Sequence, residues 1–410
     1  MHPVAYAQDA TRPGEWRFCR SSIARTPWAR RWFLLAQAKQ VPRARYARRR
    51  GKASRGRHLF ASNEERLAGL DAEARGARWR RLADAMSVAG SVAEIWRYPV
   101  KSMGGERLAQ SAIAARGLHA DRMWAVRDAE LDTFTTARRW PVLLQCSARF
   151  VEDPADRSAG PGDVLDVIVT FPDGSEVSSS DPAIHDRLSE VIGKPARLES
   201  LPALSEKRRY RTPQATKADI RRQFTIPDGE PLPDFSMFPV RKLAELARYA
   251  TPVGALYDAY PILLLTRASL RALAERSPRS QFDVRRFRPN VLIDRDGAEL
   301  VEFGWCGGRV RAPDVIFDVE IPDLRCSIPT RQQGDLPADP DVLRTINAHA
   351  DHCLGVYANV AKVGTLAEGD LLEFEPSGAA SAPAAVAQAG TTALKRGALR
   401  VFDALMPRGE

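Results

Sequence analysis

Cys326 sits in Leu324-Arg325-Cys326-Ser327-Ile328-Pro329-Thr330, between a strand-like run and a set of turn residues. The run is Val315-Ile316-Phe317-Asp318-Val319-Glu320-Ile321, and the turn signals are Gln333-Gly334-Asp335-Leu336-Pro337. A thiol at a strand exit, with loops around it, is well placed to meet a ligand. The competing reading is a small buried hydrophobe, the commonest fate of a free cysteine. Three further stretches carry donors suited to an anion. Lys101-Ser102-Met103-Gly104-Gly105-Glu106 is a glycine-containing turn whose Lys, Ser and backbone amides suit a phosphate. Phe134-Thr135-Thr136-Ala137-Arg138-Arg139 adds more. Arg288 and Asn290 flank Pro289, so an extended backbone is expected there, with both side chains on one face. A fork-shaped guanidinium beside an amide grips phosphate or a polar heterocycle. His349, His352 and Cys353 resemble metal ligands, but their crowding at a helix end argues against zinc.

The elements that must position these residues are mostly strands. Val92–Tyr98 alternates and ends at Pro99; Asp121–Asp128 is strand-like; Val164–Phe171 runs into the Asp173-Gly174 turn of a hairpin. Asp181-Pro182 starts a short helix with Ile184, Leu188 and Val191 inside and Gly193 as its stop. Residues 205–235, rich in Arg and Pro, read as a long connection. Tyr260–Thr266 is a buried strand, and Thr266 opens a helix that ends before Ser277-Pro278. A helix begins at Asp339-Pro340, and two strand pieces fall within 363–374. The expected fold is mainly β (α+β): two linked β-barrel-type domains with short flanking helices. The boundaries are a basic, largely disordered extension over 1–85, a β-barrel domain over 90–215 and a connection over 216–235. A second β domain follows over 236–375, then an Ala/Gly/Pro linker over 376–391 and a short helix over 392–410.

Bulk properties narrow the function. The apolar fraction of 44% and charged fraction of 27% over 410 residues suit a globular chain with real cores. Five scattered cysteines with no CxxC pair argue against disulfide or zinc frameworks and suit a reducing, cytoplasmic setting. The net charge of +10 comes entirely from residues 1–85, where 20 Lys+Arg face 7 Asp+Glu; the rest has 41 against 44, or −3. The high isoelectric point therefore gives no reason to expect nucleic acid as a partner of the body. No apolar run approaches the ~20 residues needed to span a bilayer. Met86 stands just before the first convincing strand, so the extension reads as lying outside the working protein.

Ile95-Trp96-Arg97-Tyr98-Pro99-Val100-Lys101-Ser102 resembles the opening of the N-terminal β-barrel of MOSC proteins, named for the molybdenum cofactor sulfurase C-terminal domain. Arg286-Phe287-Arg288-Pro289-Asn290, Arg325-Cys326 and Gly364-Thr365-Leu366-Ala367-Glu368-Gly369-Asp370 are similar, in order, to three signatures of the MOSC domain itself. The resemblance covers residues about 92–375. It implies two β-barrel-type domains with a molybdenum cofactor (molybdopterin) between them. In the amidoxime-reducing branch the position of Cys326 holds the metal. Positions matching Lys101, Ser102, Arg122, Arg288 and Asn290 help hold the pterin and its phosphate, Arg325 beside the cysteine is expected to bind the cofactor too, and Asp258 falls in a region near the metal. A thiolate is a soft ligand of the kind transition metals favour. Met103 stands where some members have cysteine. The C-x4-C-x2-C spacing of a plant-type ferredoxin is absent, and the chain has no room for a pyridoxal-phosphate desulfurase domain, so that cofactor is not expected.

The resemblance implies an oxidoreductase that reduces N-hydroxylated or related N–O small molecules with electrons from a separate transfer protein, with Cys326 and Asp258 at the reacting centre. The alternative is a sulfur or cofactor carrier without turnover of its own.

Overall fold

The structure, a computed structural model, describes residues 88–376 except positions 214, 229, 231 and 234. The basic extension over 1–85 and the expected C-terminal helix lie outside the described residues, as does all but the first residue of the linker.

The N-terminal region contains β1 (Val88–Arg97), β2 (Glu106–Leu108), β3 (Gln110–Ala114), β4 (Gly117–Leu118), β5 (Trp124–Asp128), β6 (Thr133–Phe134), β7 (Ser147–Phe150), β8 (Val167–Thr170) and β9 (Glu176–Ser178). Helix α1 (Ala183–Ile192) and β10 (Ala196–Ser200) follow. Asp181 Oδ1 accepts from the Ala183 amide at 2.9 Å, and Gly193, at φ 73°, ends α1 in the left-handed conformation expected of a glycine stop. Two three-stranded sheets, β10-β5-β6 and β7-β8-β9, pack around Val100, Met103, Val126, Leu143, Val169 and Leu188.

Within the stretch read from sequence as a connection lies a helix, α2 (Lys217–Phe224), and after it α3 (Val240–Arg248). Thr216 and Asp219 form a reciprocal capping box on α2. The Arg-rich composition masked this cap, because the helix buries only Ile220 and so lacks an apolar stripe.

The C-terminal region adds β11 (Ile262–Thr266), α4 (Arg267–Arg276), β12 (Val291–Asp294), β13 (Arg309–Arg311), β14 (Ile316–Leu324), α5 (Pro340–His349), β15 (Cys353–Lys362), β16 (Gly364–Ala367) and β17 (Leu371–Glu375). Seven strands close a barrel in the order β12-β11-β15-β14-β13-β17-β1, with β1 pairing back onto β12. The first described strand therefore seals a barrel whose other six staves come from residues 262–375. Strand β3 likewise pairs with β16 on one side, and with β4 in a tight hairpin on the other. Among the described strand pairs only β11 and β12 run parallel, and α4 supplies the crossover that a parallel pair requires.

The sequence explains the closure. Every residue of β11 is buried, as expected for a strand covered on both faces. β14 alternates half-buried and buried residues along its whole length, the pattern of a one-sided stave. Gly90, at φ 136°, sits at a register shift where a Cβ would lie 2.2 Å from the Asp294 carbonyl oxygen. Such bulges give a closing sheet its local bend. Val92, Ile95, Leu264, Ile293, Phe317 and Val356 fill the barrel.

Candidate functional site

The loops leaving these elements bring three of the anticipated residues toward the thiol. The turn after β1 carries Lys101, which is buried; its Nζ donates to the Leu256 carbonyl at 2.8 Å and to Asp258 Oδ1. Asp258, in the loop before β11, also lies 3.6 Å from Arg138 Nη2. Arg138, from the loop after β6, lies close enough in turn to Cys326, which follows β14, for its charge to act on the thiol. Lys101, Asp258, Arg138 and Cys326 thus form one connected chain.

Burial opposes ionisation of Asp258, but Lys101, Arg138 and Arg122 outweigh it and hold the carboxyl well below the usual range. Burial pulls Lys101 down to about 8, with Asp258 resisting. The Cys326 thiol is pushed up by burial, against the pull of Arg138 and the Ile328 amide.

A second group adjoins the first. Asp121 accepts from the Tyr98 amide at 2.8 Å, from Asn290 Nδ2 at 3.1 Å and from Arg122. Arg122 and Arg288 both stack on the Tyr98 ring, 5.0 and 4.3 Å from its centroid. Arg288 Nη1 donates to the Met103 carbonyl at 2.6 Å, while its Nη2 is buried without a hydrogen-bond partner among the described residues. Burial lowers Arg288 to about 10. The extended backbone expected at Arg288 is not observed: its φ of 55° is left-handed, which turns the side chain off the face that alternation assigned to it. Ser102, at φ 72°, and Arg122, at φ 53°, share this conformation. Three site residues therefore sit in backbone conformations that favour glycine, a cost that recurs at functional sites.

Not every anticipated residue has donors to spare. Asn290 is saturated: its Oδ1 accepts from the Leu263 amide at 3.2 Å, and its Nδ2 serves Asp121 and, at 3.4 Å, the Trp96 carbonyl. Its geometry pins the N-terminal end of β12 to β1. Ser102 Oγ accepts from the Ala137 amide at 3.0 Å and so holds the loop that presents Arg138. Arg325 spans Asp323 Oδ2 at 2.5 Å and the Phe287 carbonyl at 2.9 Å, and its Nε is buried without a partner among the described residues. Burial raises Asp323 to about 6 despite Arg325 and the Tyr357 hydroxyl.

Two positioning roles escaped the reading of the sequence. Arg138 stood there only among general anion donors, and Arg286 only as a letter in a motif. Arg286 is 1% exposed and donates to the carbonyls of Gln281, Pro329, Arg331 and Pro337 at 2.8–3.3 Å. It staples the loop that carries Cys326, using the guanidinium fork on carbonyls instead of an anion.

The charge balance describes what this site accepts. Lys101, Arg122, Arg138 and Arg288, buried or half-buried, outnumber Asp121 and Asp258 beside them, and this excess of positive charge favours an anionic ligand. No cluster of three or more His, Cys, Asp or Glu side chains suited to a metal occurs among the described residues. A metal held by Cys326 must therefore bring most of its ligands with it. An anionic, metal-carrying cofactor fits both observations.

Comparisons with known proteins agree with this chemistry. The profile of the MOSC N-terminal beta barrel domain matches residues 89–179, and that of the MOSC domain matches residues 253–373. A molybdenum cofactor sulfurase of Drosophila grimshawi is 28% identical over 254 residues, covering 61% of this chain and 29% of the sulfurase. Mitochondrial amidoxime-reducing component 1 of Mus musculus is 27% identical over 274 residues, covering 65% of this chain and 70% of that protein. The chain thus spans under a third of the sulfurase's length. Among solved structures, the YUAD protein from Bacillus subtilis aligns over 70% of this chain and 97% of its own, with 11% identity and a TM-score of 0.35. With both domain profiles matched in order and the closed barrel drawing strands from both, the chain belongs to the MOSC family.

Proposed function

We propose that the protein binds the molybdenum cofactor and reduces N-hydroxylated or related N–O small molecules with electrons from a separate protein. The observation that carries this reading is the Lys101–Asp258–Arg138–Cys326 chain inside a site with excess positive charge. Similarity to an amidoxime-reducing protein supports the reaction class.

Cys326 would supply the protein's thiolate to the metal, and Arg138 beside it favours that charged form. Arg288 Nη2 and the remaining N–H of Lys101 would meet the cofactor's phosphate. When bound, the cofactor supplies two-electron, oxygen-atom-removing chemistry. The chain's own contribution is to hold it: Asp258 keeps Lys101 and Arg138 in place, and Asn290 and Ser102 fix the loops that carry the arginines.

Molybdenum and pterin content of protein made under cofactor-replete conditions tests the proposal. Wild type is expected near one equivalent of molybdenum, and Cys326→Ser at least tenfold lower. Less than a tenth of an equivalent in wild type rejects the reading. Full loading with no turnover of several N-hydroxy substrates, under several electron donors, would make the protein a carrier instead.

A further inference from the structure

Four arginines that the site does not use share one stretch of surface. The tight helical turn Lys207–Tyr210 and the residue after it carry Arg208 and Arg211, three apart and so on one side of the turn. The exposed side of α3 carries Arg241 and Arg248, seven apart and about 10 Å along one helix face. Backbone joins the two pairs: Arg211 bridges to Tyr249, and the Ala250 amide donates to the Tyr210 carbonyl at 2.8 Å. All four guanidiniums are exposed and form no ion pair among the described residues. Arg248 rests against the Tyr249 ring, 5.9 Å from its centroid, a contact that leaves its charge uncompensated. The carboxylates on these segments are already engaged, Glu206 with Arg209 at 3.3 Å and Glu245 with Lys242 at 2.7 Å. Net positive charge is left facing solvent.

Both segments are tied to the reacting region. Arg127 Nη2 donates to the Arg209 carbonyl at 2.8 Å and Thr133 Oγ1 to the Arg211 carbonyl at 3.0 Å. Thr133 opens β6, and the loop after β6 carries Arg138. Under α3, Leu243 and Leu246 pack on the cluster of Tyr260 and Tyr357, and Lys242 Nζ stands 4.9 Å from the Tyr260 ring centroid. Tyr260 stacks on Tyr357 at 5.3 Å, and Tyr357 is near enough to Asp258 for that carboxylate to act on its hydroxyl. A packed aromatic path thus runs from beneath α3 to the Asp258 end of the site. Reducing R–NHOH to the amine and water takes two electrons and two protons: the N–O bond breaks, and one N–H and one O–H bond form. A one-electron carrier is therefore oxidised at each of two visits. Such visits must be brief, and tunnelling falls steeply with distance, so the dock has to form fast above a short packed path. Charge steering gives fast, salt-sensitive association without a large apolar area, and electron-transfer interfaces are among the smallest. We propose that the face formed by Arg208, Arg211, Arg241 and Arg248 docks the electron donor, a small one-electron carrier protein with an acidic surface. The proposal rests on the reductase reading and names the chemistry of its partner.

The test titrates the full-length protein with two acidic one-electron carriers, a plant-type ferredoxin and a flavodoxin, by calorimetry at low salt and at about 0.3 M salt. Wild type should bind at least one of them at low salt and lose most of that affinity at the higher salt. Arg208→Glu combined with Arg248→Glu should weaken binding about tenfold, and Arg241→Glu alone about threefold. Arg276→Glu on α4, the same charge change outside this face, should leave binding unchanged. Arg241→Glu also covers the case in which the paired variant fails to fold. No binding of either carrier at low salt overturns the proposal. So does binding that the substitutions leave intact, which would assign it to the basic extension over 1–85. Tighter binding of phosphatidylglycerol vesicles or duplex DNA, abolished by the same substitutions, would make this a membrane or nucleic-acid face and overturn it too. Turnover separates the face from the reaction. With reduced methyl viologen as a chemical donor, the molybdenum-loaded variants should match wild type on benzamidoxime, while KM for the carrier rises about tenfold. Carrier binding that responds to the substitutions in a protein without reductase activity keeps the face and drops the reaction. Viologen-driven turnover without carrier binding does the reverse.

Discussion

At the scale of single residues, arginine does two different jobs here, and burial and partners distinguish them. Arg138, Arg122 and Arg288 face the site, whereas Arg286 spends its fork on four backbone carbonyls. Lysine cannot reproduce that fork. Arg286→Lys is therefore expected to lose roughly 3–5 kcal/mol, the scale for breaking buried charged hydrogen bonds. Urea unfolding measures that loss, and molybdenum content should fall with it because the cysteine loop loosens. Lys101 sets a pH dependence. Its folded-state value, drawn down to about 8 by burial, makes it cationic below that pH and neutral above. Binding of inorganic phosphate should weaken as pH rises from 7 to 9, since the anion favours the protonated amine. Lys101→Gln should bind about tenfold more weakly at pH 7, in line with a lost charged hydrogen bond, and should flatten the profile across pH 8.

The elements were legible where one physical signal dominated. The all-apolar β11, the alternating β14 and the capped helices α1, α4 and α5 follow from periodicity and end signals. Helix α2 was missed because its stability comes from a cap and surface arginines, not from an apolar stripe. The backbone at Arg288 was misjudged because the local preference before proline yields to its packing over Tyr98 and its bond to Met103. The thiol itself stood out at once, while the Arg138 link to it depends on a contact between loops that no spacing encodes. Gly90 gives the sharpest test at this scale. A Cβ there meets the Asp294 carbonyl in a conformation that L side chains rarely adopt. Gly90→Ala should cost about 3–5 kcal/mol from strain and overpacking together, read as a fall in thermal midpoint and a loosened β1–β12 seam in hydrogen exchange.

For the whole molecule, the mainly β class was readable, but the sharing of the barrel was not. Sequence suggests domains as consecutive blocks, and pairing of β1 with β12 and β17 joins distant blocks instead. No helix among the described residues is long and apolar enough to cross a membrane. Residues 236–376 expressed alone would lack one stave and leave the edges of β12 and β17 unpaired, a template for aggregation. That fragment should show no cooperative thermal transition by near-ultraviolet circular dichroism, whereas residues 88–376 should. The shared stave also has a consequence in time. Trp96 and its partner Asn290 are 194 residues apart, and synthesis proceeds at roughly 5–20 residues per second. On the ribosome, the opening strand therefore waits on the order of 10–40 s for its neighbour, its apolar residues lacking their final cover. Production of this protein is set to depend on chaperone supply and translation speed, more than its final stability alone would suggest.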